Sequence, residues 1–353
     1  MAVDLGKFVA EVKKPIEFED LAGKTIAIDA YNTIYQFLSI IRGPDGSPLM
    51  DSNGKITSHL SGLMYRTTNL IGYGINPVFI FDGIPPELKR KTLEARAARR
   101  RAAEEGWQKA KESGMLEEAR AHAVASTKIN KEIVESSKEL LGLMGIPYIQ
   151  APSEGEAQAA HLVRKGIAYA SASQDYDSFL FGADTVIRNF TLTGKRKLPK
   201  RNITVDVKLE RIFLKDLLQS MGISLRQLVW LGILIGTDFD EGIRKVGPKT
   251  ALKIVKELKS IREIEEYVKA KYGESFDADA EEVERVFTEP DVIDMSESAF
   301  RELMGKSMLN REKLVKFMCD EHGFSPERIS KYAEKLYEAR QAKGQKGIGN
   351  WIR

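Results

Sequence analysis

Residues 24–30 read KTIAIDA, and residues 77–83 read PVFIFDG. Each is a short, continuously apolar run that stops on an acid, Asp29 in the first and Asp82 in the second. Unbroken apolarity, as opposed to alternation, is the pattern of a strand buried on both faces. Two further runs repeat it. IPYIQ at 146–150 leads into APSEGEAQAAHLV, which opens a helix carrying Glu154 and Glu156 near its start; IAYASAS at 167–173 leads into QDYDS with Asp175 and Asp177. Strands alternating with helical stretches predict an α/β fold, a mostly parallel central sheet flanked by helices and joined by right-handed crossovers. Ligands of such sheets sit beyond the carboxyl ends of the strands. That is where these acids fall, and Asp238, just past the buried helix end VWLGILIG at 229–236, makes a seventh.

Any one of these acids also suits the N-cap of a following helix. Recurrence favours a shared site, because seven carboxylates at one edge cannot all stay ionised without cations. In DYD the two Asp lie at i and i+2, so an extended segment would turn both to one side. Oxygen donors without a His or Cys cluster suit Mg²⁺, with Mn²⁺ as substitute, better than Zn²⁺. So many carboxylates suggest two ions, and the chemistry implied is metal-assisted phosphodiester hydrolysis.

The 353 residues, 42% hydrophobic and 30% charged, describe a globular chain with a large core. Lys and Arg total 54 against 51 acids, so the net charge of +3 says little and any polyanion footprint must be local. Cys319 is the only cysteine, which excludes an internal disulfide. No apolar run reaches the roughly 18 residues of a bilayer span, and the start lacks a secretory core, so a cytoplasmic protein is expected.

Three segments can hold phosphate. ELKRKTLEARAARRR at 87–101 carries seven basic residues against two acids and favours helix. It puts Lys89 and Arg96 on one face, directly after Asp82, and predicts a helical insertion over the site running to about Ser137 with breaks near Gly106 and Gly114. TLTGKRKLPKRNITV reads as a hairpin with a turn at Gly194 and a basic cluster from Lys195 to Arg201. GIRKVGPKTALKIVKE at 242–257 is the most specific. Gly247 is expected to take a positive φ and Pro248 to open a helix whose free amides, with Lys245 and Lys249, hold a DNA phosphate. After the helix ending at Ile235 this makes a helix-hairpin-helix, which grips backbone without reading bases. The carboxyl tail KGQKGIGNWIR is Gly-rich and expected to be flexible, and its Ile348, Trp351 and Ile352 ask for a partner pocket.

With IAIDAYNTIYQF, TSHLSGLMYRT, VFIFDGIPPELK, APSEGEAQAA, SQDYDS, LIGTDF and GPKT in this order, the whole chain resembles the archaeal flap endonucleases of the XPG-type 5′ nucleases. The resemblance implies the PIN-like 5′ nuclease fold with a helical arch. It also implies 5′ flap endonuclease and 5′ to 3′ exonuclease activity on branched DNA, in lagging-strand maturation and long-patch base excision repair. By motif, Asp29, Asp82, Glu154, Glu156, Asp175, Asp177 and Asp238 look like the metal acids, with Asp177 essential to catalysis and Lys89 and Arg96 as the cations meeting the scissile phosphate. Tyr35 is similar to the aromatic that stacks at the junction; Arg42, Arg66, Glu154, Gly236, Asp238, Gly247 and Lys249 match DNA-contact positions. The hairpin would take a K⁺ ion, and Gln345, Ile348, Trp351 and Ile352 would dock on the sliding clamp of a monomeric enzyme. Ala2 stands where the family usually has Gly, and Ile352 replaces the second tail aromatic. The regions expected are 1–99 and 117–261 for the nuclease, 100–116 for the arch, 262–344 for a helical continuation and 345–353 for the tail. Rival readings are a junction resolvase or PIN-like ribonuclease, and a non-catalytic fork-binding module.

Overall fold

The computed structural model describes residues 3–43, 46–113, 115–191, 194–197 and 204–349. Strands β1 (Lys14–Ile16), β2 (Thr25–Asp29), β3 (Asn76–Phe81), β4 (Tyr148–Gln150), β5 (Ala170–Ala172), β6 (Thr185–Arg188) and β9 (Leu209–Phe213) form a seven-stranded sheet ordered β1-β9-β6-β5-β2-β3-β4. Neighbours from β6 through β4 run parallel, while β9 is antiparallel to both β6 and β1. The expected mostly parallel sheet is present, with a mixed edge that the apolar runs did not announce. A separate hairpin pairs β7 (Gly194–Lys197) with β8 (Thr204–Val207); Gly194 pairs with Val207, so it opens a strand and does not make the expected turn. Lys200 and Arg201 lie outside the described residues.

Helices cover both faces. α2 (Ala30–Ile40), α3 (Ser58–Gly72), α6 (Lys131–Leu143), α15 (Arg311–Lys316) and α16 (Pro326–Gly349) share one core with Ile26, Ile28, Phe79 and Phe81. The alternate residues Ala27, Val78 and Ile80 face α7 (Gly155–Arg164) and Phe300 of α14 (Glu297–Lys306). Phe79 and Phe81 are fully buried, each contributing about 2 kcal/mol of transfer free energy. A third cluster gathers α1 (Gly6–Val12), α8 (Asp177–Leu180), α9 (Leu214–Met221), α10 (Leu225–Ile235), α11 (Pro248–Glu257), α12 (Ile261–Tyr272) and α13 (Ala280–Thr288). In it the buried carboxylate of Glu284 accepts from Trp230 Nε1 at 2.7 Å and Arg226 Nε at 2.5 Å, fastening α13 to α10. Among the described residues no single helix is long and apolar enough to cross a membrane.

The insertion after β3 consists of α4 (Arg90–Glu112) and α5 (Leu116–Ala125), packed together. The break expected near Gly114 is found, but α4 runs through Gly106 unbroken. A Cβ at Gly106 would lie 2.7 Å from the His122 ring. This glycine lets α5 approach α4 closely and has no part in ending the helix. At the other end of the chain α16 continues to Gly349, so the expected flexible stretch is helical through Gln345 and Ile348. Ala2, Trp351 and Ile352 lie outside the described residues.

Candidate metal and nucleic-acid site

Sheet register brings the acids together. Asp29 is level with Ile80 and Ile28 with Ala172, so Asp29, Asp82 and the turn after β5 leave the sheet at the same edge. Asp29 takes up the N-cap role as well, accepting the Asn32 amide at 2.9 Å to start α2. Asp82 accepts the Gly155 amide at 2.7 Å at the start of α7, where Glu154 is N-cap and Glu156 lies in the first turn. Asp175 and Asp177 are not on an extended segment as expected: Tyr176 is already helical and Asp177 begins α8. Asp177 accepts the Val3 amide at 2.7 Å, so the amino-terminal segment reaches this edge. Asp238 arrives from the loop after α10.

Lys89 and Arg96 complete the cluster. Lys89 is not inside α4; it ends a short 3₁₀ turn, Glu87–Lys89, at the base of the insertion. Its buried Nζ lies 2.5 Å from Glu154 Oε2 and 3.3 Å from Asp238 Oδ2. Arg96, two turns along α4, donates to Asp238 Oδ1.

Crowding shows in the protonation of the acids. Burial first, then the neighbouring Asp82 and Asp175 charges, raise Asp29 well above the usual carboxylate range; burial and then Asp177, Asp175 and Asp29 do the same to Glu156. Burial and Glu154 push Asp82 up to about 6. Burial, against the Val3 amide and with Asp238 and Asp175 nearby, pushes Asp177 up to about 7. Asp175 is raised by burial and Asp238. Burial alone would raise Asp238 too, but Lys89 and Arg96 overcome it and hold it low. Burial opposes the charge on Lys89, yet Glu154 and Asp238 prevail and raise it. Burial is the larger cause at each raised acid, and the like-charge conflict expected from the sequence adds to it.

The convergence falls short of the expected cage. Among the described residues, no group of three or more Asp, Glu, His or Cys closes into a geometry that holds a metal ion. Each acid has at least one oxygen taken up by a protein partner: Glu154 and Asp238 by Lys89 and Arg96, Asp29, Asp82 and Asp177 by backbone amides, Glu156 by the Ser173 hydroxyl at 2.7 Å, and Asp175 by Asn32 Nδ2 at 3.1 Å. The donor set itself fits hard cations, being oxygen throughout and carrying excess negative charge. Ser173, Asn32 and the Val3 amide are hydrogen-bond partners of these acids that motif reading missed, since a polar group near an acid gives no periodic sign.

Other expected contacts scatter around this edge. Tyr35 is exposed on α2. Arg42 donates to Gly46 O at 2.7 Å and to Thr127 Oγ1, tying the loop after α2 to the end of the insertion. Arg66 is half-buried against the Phe18 ring and donates to Phe190 O at 3.1 Å, and burial lowers its pKa. Gly236 is buried at φ 101°, and a Cβ there would sit 2.7 Å from Glu241 O, so only glycine closes the loop carrying Asp238. Gly247 has φ −90°, not the positive value expected; Lys245, at φ 67°, takes the left-handed turn. Pro248 opens α11 as expected, α10 and α11 pack together, and Gly247 and Lys249 are exposed at the helix start.

Known proteins match this arrangement. The XPG N-terminal domain matches residues 1–103 and the XPG I-region residues 145–238. Flap endonuclease 1 of Methanosarcina barkeri is 50% identical over 354 residues, and that of Pyrococcus furiosus 48% over 354 residues, each match covering 100% of both chains. The solved flap endonuclease-1 from Methanococcus jannaschii aligns with a TM-score of 0.73 at 38% identity, covering 97% of this chain and 99% of that one. The catalytic core of Rad2 in complex with DNA substrate, at 23% identity and a TM-score of 0.68, covers 95% of this chain and 100% of its own, and bears on the fold alone. These matches define the class as XPG-type nucleases. Within it, the chain belongs to the flap endonuclease 1 family.

Proposed function

We propose that this chain cuts 5′ flaps from branched duplex DNA at the seven-carboxylate edge, with Mg²⁺ as the working ion and Mn²⁺ as a substitute. As a family member it is a structure-specific 5′ nuclease, a hydrolase of DNA replication and repair. One observation carries the assignment of the site: Lys89 sits at the base of the insertion while its ammonium is sandwiched between Glu154 and Asp238. When bound, a pair of divalent ions supplies Lewis acidity to the phosphodiester and acidifies an attacking water.

The chain's own residues do the rest. The carboxylates hold the ions, Asp177 being indispensable among them. Lys89 and Arg96 are donors placed to bind the non-bridging phosphate oxygens and stabilise charge there. The 5′ strand passes under α4 and α5. Tyr35 stacks on a junction base, and the exposed start of α11 at Gly247, with the Lys249 side chain, holds a backbone phosphate of one duplex arm beside a K⁺ ion. Gln345, Ile348, Trp351 and Ile352 dock on the sliding clamp, the enzyme acting as a monomer in the cytoplasm.

Product mapping on a 5′-labelled double-flap substrate with Mg²⁺ tests the reading. Cleavage near the junction, leaving a ligatable nick, is expected; stronger cutting of a four-way junction or of RNA would favour the rival nucleases. Removing residues 345–353 is expected to leave basal cleavage intact and abolish stimulation by the clamp.

A further inference from the structure

Asp175 Oδ2 accepts from Asn32 Nδ2 at 3.1 Å, and the Asn32 backbone amide donates to Asp29 Oδ1 at 2.9 Å. One residue therefore touches two of the seven acids, which approach it from different strands. One helical turn along α2, Gln36 Nε2 donates to Asn32 Oδ1, and Gln36 Oε1 accepts the hydroxyl of Thr191 at 2.7 Å. Thr191 is buried, in the loop between β6 and β7. The polarity of this chain is fixed from its inner end. An ionised carboxylate only accepts, so Asn32 must present its amide nitrogen to Asp175 and its oxygen to Gln36. Gln36 must then present nitrogen inward and oxygen outward, where the Thr191 hydroxyl supplies the proton. Turning either amide over sets two donors or two acceptors face to face.

We infer that the side chain of Asn32, held by Gln36 and Thr191, is a positioning group that aims Asp175 at a divalent cation, while the Asn32 backbone amide holds Asp29 independently of it. The inference rests on the metal reading of the acid cluster. Asn32 neither touches substrate nor supplies a metal ligand. Its Nδ2 neutralises part of the charge on one oxygen of Asp175 and fixes the rotamer, leaving the other oxygen to point at the ion. The i, i+4 spacing of Asn32 and Gln36 puts both on one face of α2, half-buried beside the more exposed Tyr35. Outer-shell partners of this kind commonly set metal affinity by about 10- to 100-fold.

The test is Mn²⁺ binding to the full-length, EDTA-treated protein without DNA, read as free Mn²⁺ by electron paramagnetic resonance, with melting temperature in parallel. Asn32→Leu is expected to weaken binding by about 10-fold and Gln36→Leu by about 3-fold, with the fold retained. Because Gln36 acts through Asn32, the double variant should bind no more weakly than Asn32→Leu alone; independent structural effects would multiply. Wild-type affinity in a folded Asn32→Leu protein, or multiplying losses, overturns the inference. Should Asn32→Leu fail to fold, an undiminished affinity in Gln36→Leu overturns it equally. Asp175→Ala separates the two readings: if that variant binds Mn²⁺ as wild type does, the metal reading of the edge fails first.

Discussion

The carboxylate edge and the helical insertion meet at Lys89 and are built on opposite principles. The edge hangs from β2, β3 and β5, whose residues are almost wholly buried, so its backbone cannot shift without disturbing the core. The insertion buries only Ala103 and Ala110 of the 23 residues of α4, and spends most of its length as charged surface. A helix with so few buried contacts belongs to the low end of local stability. On the proposed reading, chemistry that needs fixed oxygens sits on the rigid part, while the element proposed to cover the 5′ strand sits on the part that can yield. Lys89, locked by Glu154 and Asp238, is the joint between them.

The sharpest way to break this contrast is at the edge. Asp177→Ala is expected to lower cleavage by about 10⁴-fold while flap binding in Ca²⁺ persists, because the carboxylate is bound to the Val3 amide at the edge and the cations of the insertion pair with Glu154 and Asp238. A variant that loses DNA binding as well would make the edge a substrate scaffold and not only a chemical one.

At the joint, Lys89→Ala is expected to cost about 10²- to 10³-fold in single-turnover cleavage. Arg96→Ala should cost less, because Arg96 is far more exposed and Asp238 keeps Lys89 as partner. Equal losses in the two variants would place both cations in the chemistry rather than one at the joint.

Much of the edge was legible beforehand, and the reasons are physical. A strand buried on both faces must be apolar until it leaves the sheet, so the sequence around Asp29 and Asp82 announces both strand and exit. The antiparallel place of β9 and β1 is not written in this way, since Glu210 and Arg211 interrupt the apolar residues of β9 and the edge strand β1 has only three residues. Nor was the aim of the side chains: the Asn32 relay depends on Thr191, over 150 residues away in the chain. The smooth passage of α4 through Gly106 escaped notice because a glycine reads as a break until its neighbour, His122, is known.

Charge at the edge gives a milder perturbation. Asp82 and Asp177 keep their protons up to about pH 6 and 7, against about 3.8 for an ordinary aspartate. The folded chain therefore binds more protons than the unfolded one between those limits. Their stabilising contribution is complete below the ordinary value and is lost as pH rises through 6 and 7. The melting temperature of the metal-free protein should consequently fall between pH 5 and 8 more steeply than that of Asp177→Asn. Mn²⁺ should restore more at pH 8 than at pH 5. Parallel curves for the two proteins would show that burial and the neighbouring acids do not hold the proton on Asp177.

The smallest expected effect on stability lies in the insertion. Gly106→Val would place a Cβ within 2.7 Å of the His122 ring, backed by a branch that α4 cannot turn away, so α5 must move off α4. Because only Ala103 and Ala110 of α4 are buried, this separation is expected to spare the sheet, although α5 also touches α2. Global melting should shift by no more than about 1 °C, while amide exchange in 90–125 accelerates and in β2 and β3 does not. Cleavage of flaps should slow more than the weakening of duplex binding explains, because the path proposed for the 5′ strand lies under the displaced pair. A large fall in melting temperature would instead show that the insertion shares the cooperativity of the core, and the division between a rigid edge and a yielding cover would have to be abandoned.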